Sequence, residues 1–295
     1  MADRTTTTVT ASLAGTIDIG GDLSVNRFGF GAMRLTGEGI WGEPKDREEC
    51  KRVLRRALEL GINFIDTADS YGPEVSERLI AETLYPYPDE LVIATKGGLT
   101  RPGPGRWEPN GRPEHLRAAC EGSLKRLRLD RIDVYQFHRP DPAVPFEESV
   151  GALVELKNEG KIRHIGLSNV TVEQIERAQK LTPIVSVQNR YNLLDRASEP
   201  VLEFCSGDNI AFLPWRTIGG GELAESAAGL IDEIAMRNQA TPGQVALAWL
   251  LAHSPVMLPI AGTSRVSHLD ENVGAVALDL APSELAQLDR LVPEG

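Results

Sequence analysis

Cysteine is scarce in this chain. Cys50, Cys120 and Cys205 stand far apart, with no CxxC pair among them. That argues against a disulfide framework and for free thiols in a reducing compartment. Basic charge is also short: 31 Lys and Arg against 42 Asp and Glu leave a net charge of −11 with no basic run. Nucleic acid and anionic membrane surfaces are therefore not expected partners. No apolar segment approaches the ~20 residues that a transmembrane helix needs. The Thr-rich residues 1–12 carry no apolar run of the signal-peptide kind. The expectation is a cytoplasmic protein, a monomer or a weak homo-oligomer, with a flexible N-terminus over 1–12 and one folded domain over 13–295. The 295 residues, 41% of them hydrophobic, supply an ample core. They fit either two domains or one large α/β barrel.

What the chain does have is alternation. Residues 16–19 and 23–25, joined by Gly20 and Gly21, predict a small β-hairpin. After it come eight short apolar runs: 28–33, 62–65, 91–95, 132–137, 162–167, 184–187, 210–213 and 256–260. Helical patterns fill the spaces between them. Cys50, Val53, Leu54, Ala57 and Leu58 recur at helical spacing until Gly61. Further helices are predicted near 76–84, 113–127, 146–158, 198–206, 228–238, 266–276 and 283–291, with others opening at Thr171 and at Thr241-Pro242. Thr171 with Gln174 is a capping-box pair. Continuous apolar strands separated by helices indicate a parallel sheet buried on both faces. Eight such units predict an α/β fold of the (β/α)8 barrel type, with the N-terminal hairpin and extra helices added. A doubly wound dinucleotide-binding sheet is the rival. It would need a Gly-rich fingerprint after the first strand, and Gly29-Phe30-Gly31 is only a fragment of one.

On a barrel, the ends of the strands gain meaning. Asp66, Lys96, His138, Ser168-Asn169, Gln188, Trp215 and Gly262 each fall at the C-terminal end of a different predicted strand. That face carries the active site in barrel enzymes. Singly, each has a bland reading: Asp66 as a turn former, Tyr71 as packing, His138 as a satisfied structural histidine. Together they define a site. A neighbouring Lys96 ammonium is expected to lower the pKa of the Tyr71 phenol, with Asp66 holding Lys96 and His138 aiming a substrate oxygen. Such a set can protonate a carbonyl oxygen while its carbon is attacked. Without a metal-ligand cluster, hydride from a nicotinamide cofactor is the natural attacker.

These segments resemble the aldo-keto reductases. The resemblance is carried by Phe64-Ile65-Asp66-Thr67-Ala68-Asp69-Ser70-Tyr71-Gly72, Thr95-Lys96, Phe137-His138-Arg139-Pro140-Asp141, Ile165-Gly166-Leu167-Ser168-Asn169, Val187-Gln188-Asn189 and Gly262-Thr263-Ser264. It implies a catalytic tetrad of Asp66, Tyr71, Lys96 and His138. It implies that Ser168, Asn169 and Gln188 hydrogen-bond a nicotinamide carboxamide and that Trp215 stacks on the ring. Gly31, Met33 and Asp66 also fall on the cofactor side. The 28–37 and 40–44 segments are similar to a narrower subgroup, the bacterial pyridoxal reductases.

Two departures from the family pattern stand out. Arg216-Thr217-Ile218-Gly219-Gly220-Gly221 replaces the usual Ser-Pro-Leu, and Ala261 replaces a proline. Pyrophosphate contacts are expected from Arg216, Thr217 and Gly219. Gly262, Thr263, Ser264, Arg265, His268, Glu271 and Asn272 resemble the segment for the adenosine end. There Ser264 and Arg265 would take a 2′-phosphate, and Glu271 and Asn272 would face the adenine, which makes NADPH/NADP+ the expected cofactor. The short stretch after 283–291 leaves the pocket walls to Trp41, to Trp107 within 97–112 and to Tyr191-Asn192, with Tyr71 and His138 at the reacting end. A small-molecule carbonyl substrate, pyridoxal first, is expected. The alternative is a nicotinamide-binding regulatory subunit with little turnover. A Schiff-base aldolase using Lys96 is disfavoured by the Asp66 partner.

Overall fold

The computed structural model describes residues 9–218 and 228–291. Its centre is a seven-stranded sheet, every neighbouring pair parallel, in the order β11-β10-β9-β8-β5-β4-β3. These strands are β3 (Phe30–Gly31), β4 (Phe64–Asp66), β5 (Val92–Gly97), β8 (Ile132–Phe137), β9 (Ile162–Ser168), β10 (Ile184–Gln188) and β11 (Ala211–Phe212). The gap between β11 and β3 is filled by residues 256–260. Met257 bridges Phe212 on one side and Ile260 bridges Gly29 on the other, both in parallel. The Phe212 and Gly29 N–H groups donate to the Val256 and Pro259 carbonyls at 2.9 Å each. The sheet thus closes as the predicted eight-unit barrel, its eighth position joined by isolated bridges. Every residue of β3, β4, β5 and β10 is buried, which is why these strands read as unbroken apolar runs.

Closure depends on a backbone-to-backbone seam. A side chain at Gly31 would come 2.7 Å from the Ile260 carbonyl oxygen, and one at Gly262 would run into the Gly31 carbonyl. Glycine at both positions lets the first and last barrel segments touch.

The helices form for reasons visible in the chain. In α1 (Arg47–Glu59), Asp46 caps the Glu49 N–H, and Cys50, Val53, Leu54 and Ala57 face the core. Helices α2 (Val75–Leu84), α3 (Pro113–Leu127) and α4 (Phe146–Asn158) lie where periodicity predicted them. Both halves of the Thr171-Gln174 capping box form at α5 (Val172–Gln179), and Thr241-Gln244 repeats it at Pro242–His253. The chain continues through α6 (Glu199–Gly207) and the helices Ala228–Arg237, Val266–Gly274 and Pro282–Asp289. None of the helices among the described residues is long and apolar enough to cross a membrane.

The predicted hairpin is present as β1 (Thr16–Ile19) and β2 (Leu23–Asn26), paired antiparallel. It covers the N-terminal end of the barrel. Asp22 meets Arg163 at 2.7 Å and His164 at 2.6 Å at the start of β9, and the Asn26 N–H donates to Asn63 Oδ1 just before β4. Residues 11–14, divided by the expected boundary at residue 12, form a 3₁₀ turn. Ala11 is fully buried there, and its N–H donates to the Leu60 carbonyl at 2.8 Å.

Two local expectations change. The first strand, predicted over 28–33, is strand only at Phe30–Gly31, because the chain turns into a 3₁₀ segment at Ala32–Leu35. Residues 97–112, for which the sequence predicts no element, contain an antiparallel hairpin, β6 (Leu99–Gly103) and β7 (Arg106–Pro109). Its Pro-Gly-Pro-Gly turn hid the strands in a composition that reads as loop. All three cysteines are buried free thiols. Burial pushes them up, Cys50 to about 11 and Cys120 and Cys205 to about 12.

Candidate active site

The C-terminal ends of the strands bring the tetrad together. Lys96, the fifth residue of β5, is fully buried and donates from Nζ to Asp66 Oδ2 at 2.6 Å, to the Thr67 carbonyl at 2.8 Å and to the Tyr71 hydroxyl at 3.2 Å. All three ammonium protons therefore have acceptors. His138, one residue past β8, stands edge-on to Tyr71 with ring centroids 5.9 Å apart. Its Nδ1 lies 3.4 Å from Ser70 Oγ. Thr95 faces the opposite side of β5 from Lys96 and donates to Glu77 of α2 at 2.6 Å. Arg126 of α3 neutralises that buried carboxylate at 2.6 Å.

The electrostatics follow from burial and the Asp66–Lys96 pair. Burial works against the Lys96 cation, but Asp66 and Tyr71 together outweigh it and hold the ammonium above its ordinary pKa. The Tyr71 phenol is likewise raised, not lowered as expected from sequence. Burial penalises its phenolate more than the Lys96 charge rewards it. Tyr71 therefore rests as a neutral phenol next to a cation, ready to give up its proton when an acceptor arrives. His138 is held well below its usual value, first by burial and then by the Lys96, Arg139 and Arg101 charges. It is neutral at physiological pH.

Gln136 escaped the sequence reading. It lies in β8 two residues before His138, so the strand's period of two turns both side chains to the same face. Its Nε2 donates to Asp66 Oδ1 at 2.9 Å, and Gln188 Nε2 donates to the same oxygen at 2.8 Å. Asp66 is thus fixed by three donors, one of them Gln188. Ser168 Oγ donates to the Gln188 carbonyl at 2.8 Å. The Asn169 amide donates to the His138 carbonyl at 3.0 Å from a backbone with φ of +58°. Ser168, Asn169 and Gln188 therefore form one patch next to the tetrad.

The remaining expected site residues divide by position. Trp215 joins the same rim, its N–H donating to the Asn189 carbonyl at 3.0 Å, while its indole N–H is buried without a hydrogen-bond partner. Arg216 has a φ of +61°, and its carbonyl accepts from Asn192. Thr217 is buried; Gly219 lies outside the described residues. Met33 is half-buried in the turn after β3, and Gly31 pairs with Asp66 across β3 and β4. Gly262 meets Gly31 across the seam, followed by buried Thr263 and exposed Ser264 and Arg265 at the head of helix Val266–Gly274. The Val266 N–H donates to Glu49. His268 and Glu271 are exposed, Glu271 accepting from the Thr241 hydroxyl at 2.8 Å, and Asn272 is buried.

Of the expected pocket walls, Trp107 stands 6.2 Å from Tyr71 and 6.4 Å from His138 between centroids, and Trp41 bridges Gly72 next to Tyr71. Tyr191 is no wall. It is fully buried, stacked on Trp249 at 6.0 Å and donating to Glu199 at 2.6 Å.

Comparison with known proteins agrees with this architecture. The model of the aldo/keto reductase family matches residues 27–293. An uncharacterized oxidoreductase of Schizosaccharomyces pombe is 52% identical over 281 residues, covering 95% of this chain and 91% of the relative. Pyridoxine 4-dehydrogenase of Escherichia coli is 43% identical over 281 residues, covering 93% and 97%. The structure of an aldo/keto reductase from Klebsiella pneumoniae in complex with NADP and acetate superposes with a TM-score of 0.79 at 27% identity, covering 95% and 96% of the two chains. The chain belongs to the aldo/keto reductase family and is an oxidoreductase of that family.

Proposed function

We propose that this protein reduces an aldehyde or ketone to the alcohol with NADPH, with Tyr71 as the proton donor. The observation that carries the reading is the chain Asp66–Lys96–Tyr71, at 2.6 and 3.2 Å, opening beside neutral His138. A bound NADPH would supply hydride to the carbonyl carbon. Tyr71 passes its proton to the carbonyl oxygen, and Lys96 stabilises the phenolate that remains. His138, uncharged, orients that oxygen through a ring N–H without competing for the proton. Asp66 keeps Lys96 charged and in place.

The residues at hand fit a nicotinamide dinucleotide. Ser168, Asn169 and Gln188 offer a polar patch for the carboxamide, and Trp215 offers a ring beside it. Exposed Ser264 and Arg265, at a helix N-terminus, suit a 2′-phosphate. The NADP bound in the Klebsiella relative supports that choice. Pyridoxal is the leading substrate, supported by the name of the E. coli relative and by the two tryptophans near Tyr71. The site is proposed to act in the cytoplasm within a single domain.

The test is steady-state NADPH oxidation with pyridoxal and benzaldehyde side by side. A clear kcat/KM advantage for pyridoxal is expected; equal rates would leave a general carbonyl reductase. Tight NADPH binding without turnover would overturn the reading in favour of a regulatory subunit.

A further inference from the structure

Arg101 was not among the residues that sequence pointed to, yet it lies where three loops of the rim converge. From β6 its Nε donates to the Arg106 carbonyl of β7 at 2.8 Å. One terminal nitrogen, Nη1, donates to the Ile40 carbonyl at 2.9 Å and to the Ser70 carbonyl at 2.8 Å; the other, Nη2, donates to the Gly39 carbonyl at 2.9 Å. Four of the five N–H donors of the guanidinium thus bind backbone carbonyls. They join the hairpin β6–β7, the 37–42 loop and the turn that carries Tyr71. The same guanidinium lies 3.5 Å from the centre of the Trp107 ring and 5.7 Å from that of Trp41. Cation–π attraction adds to the hydrogen bonds. The partial burial of the group lowers its pKa, yet a guanidinium stays charged at any physiological pH.

We propose that Arg101 is the positioning residue for the substrate mouth: it clamps Trp41 and Trp107 in fixed places beside Tyr71 and His138 and thereby sets a preference for flat aromatic aldehydes. The proposal rests on the carbonyl-reductase reading above. Its chemistry is specific to arginine. A lysine ammonium is a point charge with three donors and cannot serve carbonyls on four sides of a planar fork. Neither tryptophan needs to move when a ring-bearing substrate enters. The ordering cost of assembling the walls is met during folding, so it does not weaken binding. A small aliphatic aldehyde has no ring for the walls to orient and gains little from them.

The test compares wild-type protein, Arg101→Ala and Arg101→Lys in three measurements. In steady-state assays with NADPH, the alanine variant should raise KM for benzaldehyde by about tenfold, as expected for a loosened substrate position, while kcat/KM for propanal stays within about threefold. Arg101→Lys should not restore the benzaldehyde KM. The dissociation constant for NADPH, followed by fluorescence, should not change. Amide hydrogen exchange should quicken in both 37–42 and 99–109 in the alanine variant. An unchanged benzaldehyde KM, an equal loss for both aldehydes, full rescue by lysine or unchanged exchange in the two segments would each overturn the clamp. Absence of turnover in the wild type with any aldehyde would instead overturn the reductase reading, and hydrogen exchange would still decide the clamp.

Discussion

Gln136 donates to Asp66 at 2.9 Å on the carboxylate oxygen opposite the one that holds Lys96. The buried ion pair therefore has a neutral amide on its far side, and Gln188 adds a second. An ionised carboxylate this deep in a barrel survives only with its lone pairs satisfied. Gln136→Leu should lower stability by about 1.5–3 kcal/mol, the range for a hydrogen bond to a charged group. Lys96→Met, which strands the carboxylate, should cost about 3–5 kcal/mol. Urea denaturation of both variants checks the order; a Gln136→Leu protein as stable as wild type would remove the amide from the support of the pair.

Tyr71→Phe deletes only a hydroxyl from a ring that is already buried. Its NADPH dissociation constant should match the wild type, while kcat for carbonyl reduction falls by roughly 10²–10⁴-fold, the usual contribution of a positioned proton donor. Near-normal turnover would mean that another group supplies the proton.

Asp69, beside the tetrad, should make stability depend on pH. Burial and the neighbouring Glu77 push its carboxyl up to about 8 from 3.8, and its Oδ1 has no hydrogen-bond donor. Between these values the folded protein holds a proton that the unfolded chain has lost. Its contribution to stability therefore falls as pH rises from about 4 to about 8, then levels off. Asp69→Asn lacks this titration. The melting temperature of the variant relative to wild type should climb across that window, and a flat difference from pH 4 to 9 would show that Asp69 ionises normally.

Arg265 is exposed at the rim of the last loop, where the proposed NADPH would carry the single phosphate that NADH lacks. Arg265→Ala should weaken NADPH by about tenfold or more, the worth of a charge-assisted contact, and leave NADH nearly unchanged. Equal losses with the two cofactors would move the phosphate site to other residues.

The seam between Gly31 and Ile260 tests barrel closure directly. Gly31→Ala places a methyl group 2.7 Å from a backbone carbonyl that belongs to the opposite edge. Overpacking of this kind costs about 1–3 kcal/mol. Thermal melting of Gly31→Ala should show that loss, and an unchanged melting temperature would mean that the seam is slack.

Most of the barrel could be read from the chain because its strands are buried on both faces and its helices carry ordinary caps. Thr171-Gln174 and Thr241-Pro242 announce their helices within four residues, and the positions of Asp66, Lys96 and His138 follow once eight strands are counted. What escaped depends on partners distant in sequence. Gln136 is an unremarkable residue in an apolar strand until Asp66, 70 residues earlier, is brought to its amide. Arg101 sits in a Pro-Gly-rich stretch, and its acceptors are backbone carbonyls, which leave no mark in a sequence. Tyr191 was expected as a pocket wall, but its place against Trp249 and Glu199, 58 and 8 residues away, is set by packing that the sequence does not display. The direction of the Tyr71 shift needed the degree of burial, which a motif does not contain.

The three cysteines turn an accident of packing into an instrument. Each thiol lies in a different part of the fold, in α1, α3 and α6, and each is inaccessible and poorly ionised in the native state. Reagents that alkylate thiolates should be met with silence at neutral pH until a helix opens. The order in which Cys50, Cys120 and Cys205 become labelled in rising denaturant would then report, without any engineered probe, whether the wall of the barrel gives way in one event or sector by sector.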